Sequence, residues 1–434
     1  MRTMRIAEKL KGWVQAALAV ALLSAVAACG GGGDDSPSSS SGSGTSGSTS
    51  GLPASPTQQP IAATAANTVA ITVGPGATGV INIPTVSVTL CAPGTNTCQT
   101  INNVQVDTGS FGLRVVNSVL NSTMQSALQP STISGSQLAE CATFADGYTW
   151  GTVRTATIKI GGETTSTAIP VQIIGDKDAS TVPAACSNTG GSAENTVSDL
   201  GANGILGIGT ALTDCGSTCA NPATAVNSSN YFACPGGTSC TRAAVPVAQQ
   251  VANPVANFPT DNNGVIVQMP PIPDTGAASA TGTLVFGIGT QSNNALAAAN
   301  TFTTDAFGDL TRSVFNGATV TAFLDSGSNG YFFADSSLTL CGSNFSGFYC
   351  PSSAQTRSIT LVGANNVQAS ANIGILSAST LFGSGNKFAY NDLAGQLGSS
   401  TAFDLGLPFF YGRYVYHGFD KRTNGTGQAP FVAF

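Results

Sequence analysis

The sequence predicts an all-β protein whose folded part is built from two related halves. Three observations carry this. Charged residues make up only 8% of the 434-residue chain and glycine contributes 52 residues, a composition that leaves few of the residues long surface helices need. From residue 68 onward, short runs of Val, Ile, Thr and Phe alternate with turns every few residues. One segment, Val104-Gln105-Val106-Asp107-Thr108-Gly109-Ser110, returns 218 positions later as Ala322-Phe323-Leu324-Asp325-Ser326-Gly327-Ser328.

Thr85–Leu90 and Arg154–Ile160, the latter followed by Gly161-Gly162, have the two-residue period of half-buried strands. A hairpin signal precedes each copy of the repeat: the Cys91–Cys98 spacing before the first, Asn316-Gly317 before the second. Each copy is followed by an apolar segment ending in glycine, Gly204-Ile205-Leu206-Gly207 and the weaker Phe403-Asp404-Leu405-Gly406. These are the expected partner strands, in a sandwich or barrel-like architecture. A third Asp-Thr-Gly, at Asp274-Thr275-Gly276, follows Pro270-Pro271-Ile272-Pro273 and is expected to be a surface turn.

Residues 1–28 read as a signal peptide: a basic start, the apolar run Trp13–Val26, then small residues. Val26-Ala27-Ala28-Cys29 resembles the bacterial lipobox, which implies cleavage before Cys29 and a diacylglycerol on its thiol. Residues 29–60 are expected to form a lipid-anchored tether, of which Gly30–Gly51 is the Gly/Ser/Asp-rich part. Asp34 and Asp35 do not directly follow Cys29, and by analogy with other lipoproteins this favours the outer membrane. The membrane is therefore an expected partner, reached through the N-terminal lipid.

The formal charge is −6 and becomes −9 once the four basic residues and one acid of 1–28 are removed. That balance argues against nucleic acid, which needs a basic face. A single histidine, His417, excludes a zinc site with two or more histidines. Any Ser-His-Asp or Cys-His hydrolase would have to use it. It sits in the alternating segment Tyr414-Val415-Tyr416-His417 with no nucleophile elbow pointing to it, so it is expected to be a strand residue. No metal and no cofactor are expected.

Ten cysteines follow Cys29, an even number that reads as disulfides in an exported chain. Short spacings pair Cys91 with Cys98 and Cys341 with Cys350, and Cys141 with Cys186 is the next pair. Cys215, Cys219, Cys234 and Cys240 can pair in three ways, which the sequence leaves open.

The doubled Asp-Thr/Ser-Gly-Ser motif, with Leu113 and Val115 after its first copy, resembles the pepsin-like aspartic peptidases. The resemblance runs from about residue 68 to Phe434: Phe144–Gly162 resembles the flap hairpin, Val251–Thr290 the crossing into a second lobe, and Leu405–Asp420 the final region of that lobe. The whole chain also resembles a family of proteobacterial lipoproteins that brings no function with it. The first resemblance implies a bilobal fold with an active cleft between pseudo-twofold-related lobes, an N-terminal lobe at 61–262 and a C-terminal lobe at 263–434. It implies that Asp107 and Asp325 are catalytic and that a monomer acts on extended polypeptide.

Two carboxylates held close cannot both be charged. The ionised one can take a proton from a bridging water while the protonated one polarises the scissile carbonyl. The resemblance further implies that Gly109 and Gly327 let the loops turn tightly, that Thr108 and Ser326 bond across the pseudo-twofold axis, and that Ser110 and Ser328 donate to the outer carboxylate oxygens. It places Phe144, Gly147, Tyr148 and Trp150 in the flap. Phe144 occupies the position of the family's flap tyrosine, Arg114 that of its tryptophan, and Asp404 a position that is usually apolar. No Lys or Arg lies between Lys11 and Arg114, so a basic prosegment is missing. The expected function is acid-favouring endopeptidase action. The competing expectations are a non-catalytic binding protein of the same shape and a structural surface lipoprotein.

Overall fold

A computed structural model describes residues 51–188, 191–383, 385–423 and 427–434. The signal peptide, Cys29 and the tether up to residue 50 lie outside the described residues. Strands dominate, and among the described residues the longest helix is Pro222–Ser228, seven residues. The protein is all-β. No described helix is long and apolar enough to cross a membrane.

The larger sheet closes on itself. Cys98–Asp107 pairs with Pro84–Cys91 and, in parallel, with Gly204–Ile208. Gly204–Ile208 runs antiparallel to Phe111–Val116, which lies parallel to Ile169–Ile174. Ile169–Ile174 pairs with the long strand Gly147–Ile160, and that strand returns to Pro84–Cys91. The ring is barrel-like, and Val88, Val104, Val106, Leu113, Val115, Ile158, Val171 and Leu206 fill a common core at the period-two positions.

Thr68–Val73 extends this sheet to strands from the far end of the chain. It pairs with Ala280–Phe286, which pairs with Gly264–Gln268, and that strand meets Tyr414–Gly418. Strands from both sides of residue 262 therefore share one sheet. His417 is buried in it, its ring stacked on Phe410, as a strand residue.

The second sheet has seven strands, in the order 368–375, 355–362, 310–315, 318–324, 402–405, 331–333 and 394–396. Leu310–Phe315 and Ala318–Leu324 form the hairpin that Asn316-Gly317 signals, both turn residues taking positive φ. Phe333 stacks on Phe403 at 4.6 Å, and Phe315 meets Phe403 edge-on at 4.9 Å. These rings form the sheet's packed face.

Five disulfides join Cys91 to Cys98, Cys141 to Cys186, Cys215 to Cys219, Cys234 to Cys240 and Cys341 to Cys350. The four-cysteine cluster thus resolves into nearest-neighbour pairs. The end of the expected tether behaves differently from flexible coil. Gln58 donates its N–H to Gly412 and accepts from the Tyr414 N–H, and the Thr356 hydroxyl bonds the Gly51 carbonyl. Residues 51–60 are held by specific backbone bonds that the composition of the segment conceals. Asp274-Thr275-Gly276 forms a turn, with Gly276 at φ +81°.

Candidate active site

The same local arrangement occurs twice. In the first, Cys98–Asp107 delivers Asp107, the chain turns through Thr108-Gly109-Ser110, and Phe111–Val116 leads away. Gly204–Ile208 lies between the two arms, parallel to one and antiparallel to the other. In the second, Ala318–Leu324 leads into Asp325, the chain turns through Ser326-Gly327-Ser328, and Tyr331–Phe333 leads away. Ala402–Leu405 lies between those arms in the same senses. Apolar side chains pin each strand to its core, and the polar Asp-Thr/Ser-Gly turn projects beyond it.

The two turns meet face to face. The Ser326 N–H donates to Thr108 Oγ1 at 2.9 Å, and the Thr108 N–H donates to Ser326 Oγ at 3.1 Å. Each hydroxyl also donates across the junction, Thr108 to the Leu324 carbonyl at 2.9 Å and Ser326 to the Val106 carbonyl at 2.7 Å. Gln105 Nε2 donates to the Gly327 carbonyl at 2.8 Å. A Cβ on Gly109 would land on the Asp325 carboxylate, and one on Gly327 would lie 2.6 Å from Asp107 Oδ1. The glycines are required because each turn passes directly over the opposite acid.

Asp107 is buried and receives three donors: the N–H groups of Gly109 and Ser110 on Oδ1, at 2.7 and 3.1 Å, and the Ser110 hydroxyl on Oδ2. Asp325 receives the Gly327 N–H at 2.8 Å, and Ser328 Oγ lies 3.2 Å from its Oδ2. Ser328 Oγ lies closer, 2.6 Å, to Oδ2 of the buried Asp404. Burial and the adjacent Asp325 carboxyl push the Asp107 carboxyl up to about 7, against the pull of Ser110 and Gly109.

The hairpin Ser136–Thr143 and Gly147–Ile160 turns at Phe144–Gly147, where the Phe144 N–H bonds the Gly147 carbonyl. Phe144 lies over the Arg114 guanidinium, 5.9 Å from ring centroid to Cζ. Both border a cavity of about 260 Å³ that Gly109, Ser110 and Phe111 also line. At the hairpin tip Asp146 is hydrogen-bonded to Glu194. Burial and the Asp146 carboxylate push Glu194 up to about 10. Gly147 is held tightly, since a Cβ there would meet Glu194 Oε1 at 2.6 Å. Trp150 lies on the hairpin strand opposite Cys141, but its side chain is fully buried, with Nε1 donating to Thr181 Oγ1 at 3.1 Å and its ring edge-on to Phe232. Tyr148 packs in the same cluster. Strand alternation carries these even-numbered side chains into a core behind the hairpin.

Sequence reading missed the partners of Arg114. It is buried, bonded to Glu140 at 2.6 Å and to Asp214 at 3.3 Å, and Asp214 accepts from the Tyr231 hydroxyl. Burial and the neighbouring Glu140 push Asp214 well above the usual carboxylate range. The sequence signal was an arginine at a core register of an otherwise apolar strand. The pairing of Ser328 with Asp404 was also missed, and its signal was the acid at a strand position that the first half fills with isoleucine.

No curated protein matches the chain. A family model described as a protein of unknown function, DUF3443, matches residues 63–434, which takes in both aspartate turns, the hairpin over Arg114 and the seven-stranded sheet. The chain belongs to the DUF3443 family.

Proposed function

We propose that this protein is an aspartic endopeptidase of the two-lobed, pepsin-like kind, exported and lipid-anchored at Cys29, with its cleft between lobes at 61–262 and 263–434. The observation that carries the reading is the reciprocal Thr108–Ser326 bonding, which holds the Asp107 and Asp325 turns face to face. A water between the carboxyls gives a proton to the ionised member as its oxygen attacks the scissile carbonyl carbon. The protonated member gives its proton to the carbonyl oxygen, producing a gem-diol. Collapse of the gem-diol breaks the C–N bond, and a carboxyl proton passes to the departing nitrogen. No covalent intermediate is needed.

The substrate is extended polypeptide, laid under the Phe144–Gly147 turn. Activity requires one proton on the pair, so it holds on the acid side and falls as pH rises through about 7. Purified protein should degrade an unfolded substrate at acid pH, and a statine-type mimic of the gem-diol should block it. Absence of cleavage at every pH, with the mimic unbound, would instead favour a non-catalytic binding protein.

A further inference from the structure

The cavity of about 260 Å³ lies between the first aspartate turn, at Gly109 and Ser110, and the hairpin end at Thr143 and Phe144. It is smaller than the roughly 300–1,000 Å³ of sites that enclose whole small molecules, and it suits one side chain of a longer ligand. Three charged side chains reach its wall: Arg114, Asp214 and Arg242. The first two satisfy each other. Asp214 accepts from Arg114 at 3.3 Å with one oxygen and from the Tyr231 hydroxyl with the other, and Arg114 also meets Glu140 at 2.6 Å. Arg242 differs. Its Nη1 donates to the Asn227 carbonyl and its Nη2 to the Ala185 carbonyl at 3.2 Å. Among the described residues no carboxylate is ion-paired with it, and its Nε is buried without a partner. A guanidinium has five N–H donors, so one proton on each terminal nitrogen remains after the two carbonyls are served.

The frame around this cation is stapled. Arg242 sits opposite Phe232 in a short strand pair, and Cys234–Cys240 closes the turn between the strands. Cys141–Cys186 ties the hairpin strand to Ala184–Ser187, the helix that offers the Ala185 carbonyl. A cation fixed in advance costs little reorganisation when an anion arrives. We propose that this cavity is a specificity pocket for an acidic side chain of the bound polypeptide, glutamate or aspartate, and that Arg242 selects it. The proposal rests on the peptidase reading for where the polypeptide lies. The carboxylate takes the terminal N–H groups that the two carbonyls leave, as charge-assisted hydrogen bonds. A glutamine of the same shape leaves the charge unanswered, and a lysine meets a like charge at a partly desolvated wall.

The test uses peptides that differ only in Glu, Gln or Lys at one position, with that position scanned along the peptide. It is run at about pH 5.5, above the roughly 4.3 of a free glutamate side chain. At one position kcat/KM should favour Glu over Gln by about tenfold, the worth of one charge-assisted hydrogen bond, and Lys should be the poorest of the three. Arg242→Gln should abolish the preference, and Arg242→Glu should turn it toward Lys. If Arg242 served only to hold Asn227 and Ala185, these changes would alter stability or rate and leave the preference where it was. A Glu preference that survives in Arg242→Gln therefore overturns the proposal. Should that variant fold poorly, the wild-type scan decides alone: equal treatment of Glu and Gln at every position overturns the proposal. If the wild type cuts no peptide, fluorescence anisotropy of labelled Glu and Gln peptides reads the same ratio in binding. A Glu preference there would overturn the peptidase reading and leave the pocket standing, and no preference would overturn both.

Discussion

Thr108 and Ser326, 218 positions apart in sequence, each present a hydroxyl oxygen to the other's backbone N–H, at 2.9 and 3.1 Å. Both are buried. With the two hydroxyl-to-carbonyl bonds, they put four hydrogen bonds of the join between the aspartate turns out of reach of water, and none survives alone if the turns separate. Thr108→Val and Ser326→Ala each strand a buried N–H. Each should destabilise by about 1–3 kcal/mol in urea unfolding. The double variant should cost clearly less than the sum, because the second change removes partners already lost. Additive losses would show that the two residues do not act as one unit.

Arg114 should behave as a buried charge with dependants. Arg114→Met leaves Glu140 and Asp214 facing each other without a cation. The expected cost is about 3–5 kcal/mol, seen as a large drop in melting temperature. Arg114→Lys should recover little, since one ammonium cannot replace the fork that holds Phe111, Glu140 and Asp214 together. A melting temperature near wild type in either variant would contradict the network.

The Glu194–Asp146 pair makes stability depend on pH. Glu194 holds its proton to about 10 in the folded protein and to about 4.3 in an unfolded chain. Raised above its unfolded value, this acid favours the fold fully below about 4.3 and loses that advantage steadily as pH rises toward 10. Glu194→Gln keeps a donor to Asp146 and removes the titration. It should raise stability relative to wild type at neutral pH, by on the order of 2 kcal/mol, and change it little at pH 4. Thermal melts across that range read the difference directly. A gain that is the same at all pH values would sever the link to titration.

Much of the site was legible because its chemistry is local. The Asp-Thr/Ser-Gly-Ser turns, their hairpins at Cys91–Cys98 and Asn316-Gly317, and the partner strands at Gly204 and Phe403 each occupy a few consecutive residues. The rest depends on chain returning from far away. Glu140 and Asp214 reach Arg114 across 26 and 100 positions, and nothing in their flanking residues marks them. Asp404 looked out of place among apolar neighbours, yet only the fold brings it to Ser328. Trp150 was placed in the flap by its nearness to Phe144, and the period of the strand sends it to the opposite face. Residues 51–60 lack strand or helix periodicity, and their bonds to Gly412 and Tyr414 are invisible without the fold.

The proposed anchoring rests on Cys29. Cys29→Ser should move the protein from the membrane fraction to the soluble fraction, because stable attachment needs the acyl chains proposed for that thiol. Unchanged partitioning would leave the lipid proposal without support.

The most direct measurement compares cleavage of an unfolded protein by the wild type, Asp107→Asn and Asp325→Asn on the acid side of pH 7, below the raised value of the Asp107 carboxyl. Each change removes the shared proton or the base that needs it. Both variants should retain the wild-type circular dichroism spectrum and fall below about a hundredth of its activity. Cleavage that persists in either variant would contradict the account at its centre, because the reaction would then be running without the pair.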